Sequence, residues 1–300
     1  MTSQGKERST DGSQGEVHQD RFVGSQDLTR WSTRAGRALA AAVRRVSSIL
    51  GPHSALILTL LVGAGLAVSL TAVFAQVYES VVEADGVAGL DHPVLDAAKS
   101  VRSPALDVTA TTYTDVGGTV GMPILALTAT IVLALRRRSW TPVILIVIAA
   151  AGSLLMTIAG KQLIGRTRPA LTDAIPPYEH SASFPSGHAL NSVVIAGVVA
   201  YLVILRLTSP RSRLLTVILA AAFALTMGLS RVYLGHHWLT DVLAAWALGA
   251  AWLALVITAH RLYLTTRTHR ADTPAGPRPR EQARSDEHLP RAPAGSNTQC

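Results

Sequence analysis

Cysteine is all but missing from this chain. The one present, Cys300, ends a polar tail, so neither an internal disulfide nor a cysteine metal site can form. Charge is scarce as well. Only 15% of residues are Asp, Glu, Lys or Arg, 49% are hydrophobic, and the mean hydropathy is +0.32. That balance excludes an ordinary soluble domain. Carboxylates are outnumbered by Lys and Arg, 19 to 27, which gives a formal charge of +8 and a pI near 10.2. A basic chain invites a nucleic-acid reading, but the arginines sit in the tails and in short loops between apolar runs. Such placement fits membrane topology rather than a folded basic surface, so nucleic acid is not an expected partner. No cleavable signal is visible either; the polar first stretch is too long for one, and the first apolar run is expected to act as an uncleaved anchor.

What the chain does have is long apolar runs. Ser54–Ala75, Thr119–Leu135, Pro142–Ala159, Ala189–Leu205, Leu214–Leu229 and Trp238–Ala259 are each nearly free of charge. A bilayer core of roughly 30 Å needs about 20 such residues per helix. The expected fold is therefore all-α, a polytopic bundle of six transmembrane helices with both termini on one side. Residues 1–50 are expected to form a disordered, basic segment, residues 51–262 the spanning domain, and residues 263–300 a disordered tail. Between the first two spans, Tyr78 to Val116 is acidic and broken by Pro93 and Pro104, which predicts short amphipathic or re-entrant helices. Arg34 to Arg45, Arg136 to Arg138, Arg206 to Arg213 and Arg261 to Arg270 all fall on one side of this topology. By the positive-inside bias that side is cytoplasmic.

Three polar clusters interrupt the apolar second half, and this topology puts all of them on the opposite, extracytoplasmic face. They are Lys161 to Pro169, Phe184 to His188, and Ser230 to Asp241. A cation at the edge of a span is costly without a role. Together the clusters hold what phosphoryl transfer requires: donors for the equatorial oxygens, a nucleophile, and an acid for the leaving oxygen. Lys161, Arg168 and Arg231 supply charge, and the arginine fork suits phosphate oxygens. Ser186 adds a hydroxyl, and Gly187 opens a helix whose first N–H groups can face an anion. His237 and Asp241, spaced i and i+4, can meet on one face, so that Asp241 fixes the tautomer and frees Nε2 as a nucleophile. His188 is then the general acid. Each residue alone has a plainer reading, as an interface anchor or a helix cap. Arg166, Asp173, Glu179, His180 and His236 read as loop residues or at most secondary contacts.

Taken in order, Lys161 to Arg168-Pro169, Pro185-Ser186-Gly187-His188, and Ser230-Arg231 through His237 to Asp241 resemble the tripartite signature of the type 2 phosphatidic acid phosphatase superfamily. Every signature position is matched, and the resemblance spans about Ser54 to Ala259. It implies a phosphohistidine on His237 oriented by Asp241, protonation of the leaving group by His188, and a phosphate pocket of Lys161, Arg168, Ser186, Gly187 and Arg231. It also implies catalysis without a metal or other cofactor. Of the superfamily's branches, six spans point to the membrane lipid phosphatases. The expected substrates are phosphatidate, phosphatidylglycerophosphate or an undecaprenyl diphosphate, with the outward face favouring the last. A phosphotransferase using the same phosphohistidine is the alternative within enzymes. A transporter is the alternative outside them, disfavoured because the spans carry almost no charge at mid-depth.

Overall fold

The computed structural model describes residues 22–23, 26–27 and 54–272, with side chains from 57 to 264. Phe22–Val23 (β1) pairs antiparallel with Gln26–Asp27 (β2). Everything else of regular structure is helical: α1 Ser54–Glu83, α2 Asp91–Ser100, α3 Pro104–Val116, α4 Gly121–Arg137, α5 Thr141–Ile164, α6 Gly187–Ile204, α7 Pro210–Tyr233 and α8 Leu239–Asp272. The remaining parts of the segments expected to be disordered lie outside the described residues. The last helix nonetheless continues to Asp272, beyond the boundary expected at residue 262.

Among the described residues, five helices are long and apolar enough to cross a membrane, and the bent pair α3–α4 makes a sixth if it counts as one span. The pair turns through 49° between Val116 and Gly121. The run expected from Thr119 to Leu135 is α4, and the short helices expected between Tyr78 and Val116 include α3, which precedes it as a separate helix. Local chemistry explains where α3 starts. Ser103 accepts a bond from the Leu106 N–H, Pro104 sits at the first helical position, and Asp107 lies in the first turn.

At the centre, α6 packs against α5, α7 and α8, while α1 lies along α8. The core is Leu145, Ile146 and Ala149 of α5, Leu190, Val194 and Val198 of α6, and Val242 and Ala245 of α8. Helices approach closely where glycine removes a side chain. A Cβ on Gly152 would lie 2.3 Å from the Trp252 ring, which instead donates its indole N–H to the Ala149 carbonyl at 3.1 Å. The outer faces stay apolar: Leu61, Val68, Leu155 and Leu219 are all more than half exposed, as a lipid-facing surface requires.

The chain direction of each helix sorts the polar ends. The ends of α4 and α6 and the starts of α5 and α7 gather at one end of the bundle, with Arg136 to Arg138 and Arg206 to Arg213. The ends of α5 and α7 and the starts of α6 and α8 gather at the other. All three signature clusters are at that second end.

Candidate active site

Two turns and one loop build the site. α7 ends at Tyr233, and Gly235 follows at φ 71°; a Cβ there would collide with the Asp173 carbonyl oxygen at 2.2 Å. This tight turn presents His236 and His237 before α8 begins at Leu239. His237 is therefore not on the helix, as its spacing from Asp241 had suggested, but in the turn that leads into it. Asp241, in the first turn of α8, reaches back to accept the Trp238 backbone N–H at 2.9 Å. On the other side, α6 begins after Phe184, which is fully buried against Phe74 and Tyr78 of α1. That anchor fixes where Ser186, Gly187 and His188 emerge.

His237 is almost completely buried, at 1% exposure. Its Nδ1 faces Asp241 Oδ2 at 3.4 Å and Ser183 Oγ at 3.5 Å, and Ser183 in turn donates to the same carboxylate oxygen. Its Nε2 lies 3.1 Å from Arg168 Nη1. A guanidinium can only donate, so Nε2 is the lone-paired nitrogen and the proton sits on Nδ1, toward Asp241. Burial, reinforced by Arg168 and Arg231, pushes this imidazole well below the ordinary value of 6.5, so it is neutral at neutral pH.

The cations converge on the same place. Arg168 also donates to the Ser181 carbonyl at 2.7 Å and the His236 carbonyl at 2.5 Å. Lys161 Nζ donates to the Ala182 carbonyl at 2.6 Å and to Ser181 Oγ at 2.9 Å. Arg231 is 2% exposed and donates to Thr114 Oγ1 at 3.1 Å. The α3–α4 bend thus forms one wall, and Gly118 of that bend sits beside His188, its missing Cβ 3.6 Å from His188 Nε2. Among the described residues, Arg231 Nε and Ser186 Oγ are buried without a hydrogen-bond partner. Ser186 is the N-cap of α6, yet its hydroxyl makes no capping bond. A buried donor with nothing to hold calls for an explanation, and a ligand that accepts hydrogen bonds supplies one.

Two residues read from sequence as loop or secondary contacts are integral to the site. Glu179 bridges Arg168, at 2.7 Å, and Arg231 with its two carboxylate oxygens. Burial alone would raise this carboxyl, but Arg231 and Arg168 outweigh it and hold it at about 2. Arg166 donates to Asp241 Oδ1 at 2.6 Å, to Thr240 Oγ1 at 2.8 Å and to Asp91 Oδ2 at 2.7 Å. It stands two positions before Arg168, and its place in that short basic run was the only signal available. Ser183, Thr240 and Asp91 carried no signal at all. His236 stays secondary: its Nε2 bonds the Ile175 carbonyl at 2.7 Å, and burial lowers its pKa. Asp173 pairs with Lys99 at 2.7 Å, and His180 is exposed. Among the described residues no group of three His, Cys, Asp or Glu could hold a metal ion.

A buried histidine with its lone pair among clustered cations, at one end of a bundle of span-length helices, is an arrangement suited to handling a phosphoryl group in a membrane protein. Comparison with known proteins agrees. The sequence profile of the PAP2 superfamily matches residues 141–263. Phosphatidylglycerophosphatase B of Bacillus subtilis is 29% identical over 61% of this chain and 89% of its own length. An undecaprenyl-diphosphatase of Sulfolobus acidocaldarius is 40% identical over 28% of this chain and 36% of its own. The crystal structure of a transmembrane PAP2-type phosphatidylglycerolphosphate phosphatase from Bacillus subtilis superimposes with a TM-score of 0.57 at 27% identity, covering 66% of this chain and 96% of that one. Residues 141–263 thus match the PAP2 superfamily, and the protein is a phosphoric ester hydrolase of the membrane.

Proposed function

We propose that the protein removes a phosphoryl group from a lipid phosphate or lipid diphosphate at the extracytoplasmic face, through a phosphohistidine on His237. The observation that carries this reading is the orientation of that ring: Nδ1 toward Asp241, Nε2 toward Arg168. In the first step Nε2 attacks phosphorus and the bond from phosphorus to the lipid oxygen breaks. His188 delivers a proton to that leaving oxygen, and Asp241 stabilises the charge that develops on the imidazole. In the second step water attacks the phosphohistidine, giving its proton to His188; inorganic phosphate leaves and both histidines are restored.

Lys161, Arg168 and Arg231 neutralise the oxygens as charge spreads in the transition state. Ser186 Oγ, Arg231 Nε and the first N–H groups of α6, Gly187's among them, supply the remaining donors. No step is assigned to a metal, because side-chain cations already supply the neutralising charge. The lipid class is supported by the phosphatidylglycerophosphatase and undecaprenyl-diphosphatase relatives. Sidedness is supported by the arginines at the bundle's other end, which the positive-inside bias places in the cytoplasm with both termini.

The test is phosphate release by purified protein from phosphatidate, phosphatidylglycerophosphate and a polyprenyl diphosphate, with an alkaline denaturing quench to trap a labelled phosphoprotein whose label acid then releases. Label that survives His237→Ala would refute the nucleophile. Loss of turnover in EDTA, restored by one metal, would refute the metal-free chemistry. A terminal tag accessible from outside intact cells would invert the topology.

A further inference from the structure

Asp91 begins α2, in the segment between the first two spans and outside the residues that match the superfamily profile. It is 2% exposed, a costly place for a carboxylate unless it is fully engaged. It accepts the Thr240 backbone N–H at 2.9 Å, the Thr240 hydroxyl at 2.7 Å and Arg166 Nη2 at 2.7 Å. The Thr240 N–H is one of the unsatisfied first-turn donors of α8, so Asp91 caps that helix from another element. Arg166, stacked over the Trp238 ring at 5.7 Å, then extends its other nitrogen to Asp241 Oδ1 at 2.6 Å.

We propose that Asp91 and Arg166 are positioning residues for Asp241 and, through it, for the tautomer and basicity of His237; this rests on the nucleophile assignment above. The argument is one of charge sharing. A guanidinium paired with Asp241 alone would neutralise it and weaken its pull on His237 Nδ1–H. Bracketed by two carboxylates, Arg166 divides its charge, and Asp241 keeps enough negative character to hold the proton and to stabilise the phosphorylated ring. Geometry follows the same path. One Asp241 oxygen is committed to Arg166, which aims the other at Ser183, Trp238 N–H and His237. None of the phosphate cations, Lys161, Arg168 or Arg231, bonds to Asp91 or Arg166 among the described contacts, so the network should affect chemistry and leave anion binding alone.

Asp91→Asn keeps the shape and an acceptor for Thr240 but removes the charge. In full-length protein in detergent, the expected result is a kcat at least tenfold lower, with the vanadate inhibition constant within about twofold of wild type. A wild-type kcat overturns the proposal. So does vanadate affinity that weakens in step with kcat, since that marks a general loss of structure. Should Asp91→Asn not fold, Thr240→Val removes the hydroxyl that bridges Asp91 and Arg166 without changing charge; it should lower kcat severalfold with unchanged vanadate inhibition, and an unchanged kcat again overturns the idea. Nitrogen-15 spectra of histidine-labelled protein report the ring directly, without turnover. They should show the Nδ1–H tautomer of His237 in wild type and a mixture in Asp91→Asn. An unchanged tautomer in the variant overturns the proposal even if wild type hydrolyses no substrate offered, whereas absent phosphate release by wild type alone bears only on the parent reading.

Discussion

The bundle has arginines at both ends, and they do different work. At one end Arg213 donates to the Leu207 carbonyl at 2.9 and 2.7 Å, and Arg137 donates to the Leu202 carbonyl. Arg136, Arg138, Arg206 and Arg211 are exposed. Arg137 and Arg213 thus bond carbonyls at or just beyond the end of a helix, where cations are favoured. At the other end Arg166, Arg168 and Arg231 are buried or nearly so and are held by carboxylates, hydroxyls and a histidine. The difference lies in the company an arginine keeps. Backbone carbonyls are bonded at both ends, by Arg168 and Lys161 at the site as well; what sets the site apart is arginines shared among side chains from distant parts of the sequence.

Breaking the site end should cost most. His237→Ala is expected to lower phosphate release by about three orders of magnitude or more while leaving the detergent-solubilised protein folded. Measured turnover above that level would place the nucleophile elsewhere. Arg231→Lys keeps the charge but loses the fork, and a weakening of vanadate inhibition by about tenfold or more is expected, since one to two bidentate bonds are lost. Unchanged inhibition would mean that Arg231 serves packing alone.

Protons provide a subtler contrast. Because the free His237 is depressed well below 6.5, it keeps its lone pair as pH falls through that value. The acid limb of kcat/KM, corrected for the substrate's own ionisation, should therefore lie below 6.5. A limb at or above 6.5 would contradict the burial argument. Glu179 titrates at about 2 against an ordinary 4.5. Its folded pKa is the lower one, so its contribution to stability is complete above 4.5 and is lost as pH falls toward 2. Thermal melts of wild type and Glu179→Gln should converge over that interval; parallel curves down to the lowest pH would argue that the ion pairs are not formed. The smallest effect belongs to the other end. Arg213→Ala should leave kcat unchanged and shift stability by no more than about 0.5 kcal/mol. A large loss of activity there would erase the distinction between the two ends.

Much of this architecture was legible in the sequence because bilayers impose a coarse rule. Uncharged runs of span length predicted the helices, and the alternation of those runs, with the arginine-rich loops on one side, predicted that the three clusters would meet. Lys161, Arg168, Ser186, Arg231, His237 and Asp241 come together as expected, at the ends of helices that alternate in direction. What escaped is what depends on contacts between distant segments. Nothing near Asp91 in sequence hints that α2 will press it against α8. Glu179 looks like an ordinary loop acid until the fold brings Arg168 and Arg231 to either side of it. The break between α3 and α4 was legible, because the acidic segment ends at Val116 and the apolar run starts at Thr119; the 49° angle between them was not. His237 was placed on a helix by its spacing, yet Gly235 makes a turn that spacing cannot reveal.

Glu179 has one more consequence. The notch between Arg168 and Arg231 is already filled by an anion that belongs to the protein, so under the proposed function a phosphate would enter by exchange rather than by addition. Two guanidiniums that would repel each other if left alone are kept apart at a working distance by a built-in placeholder.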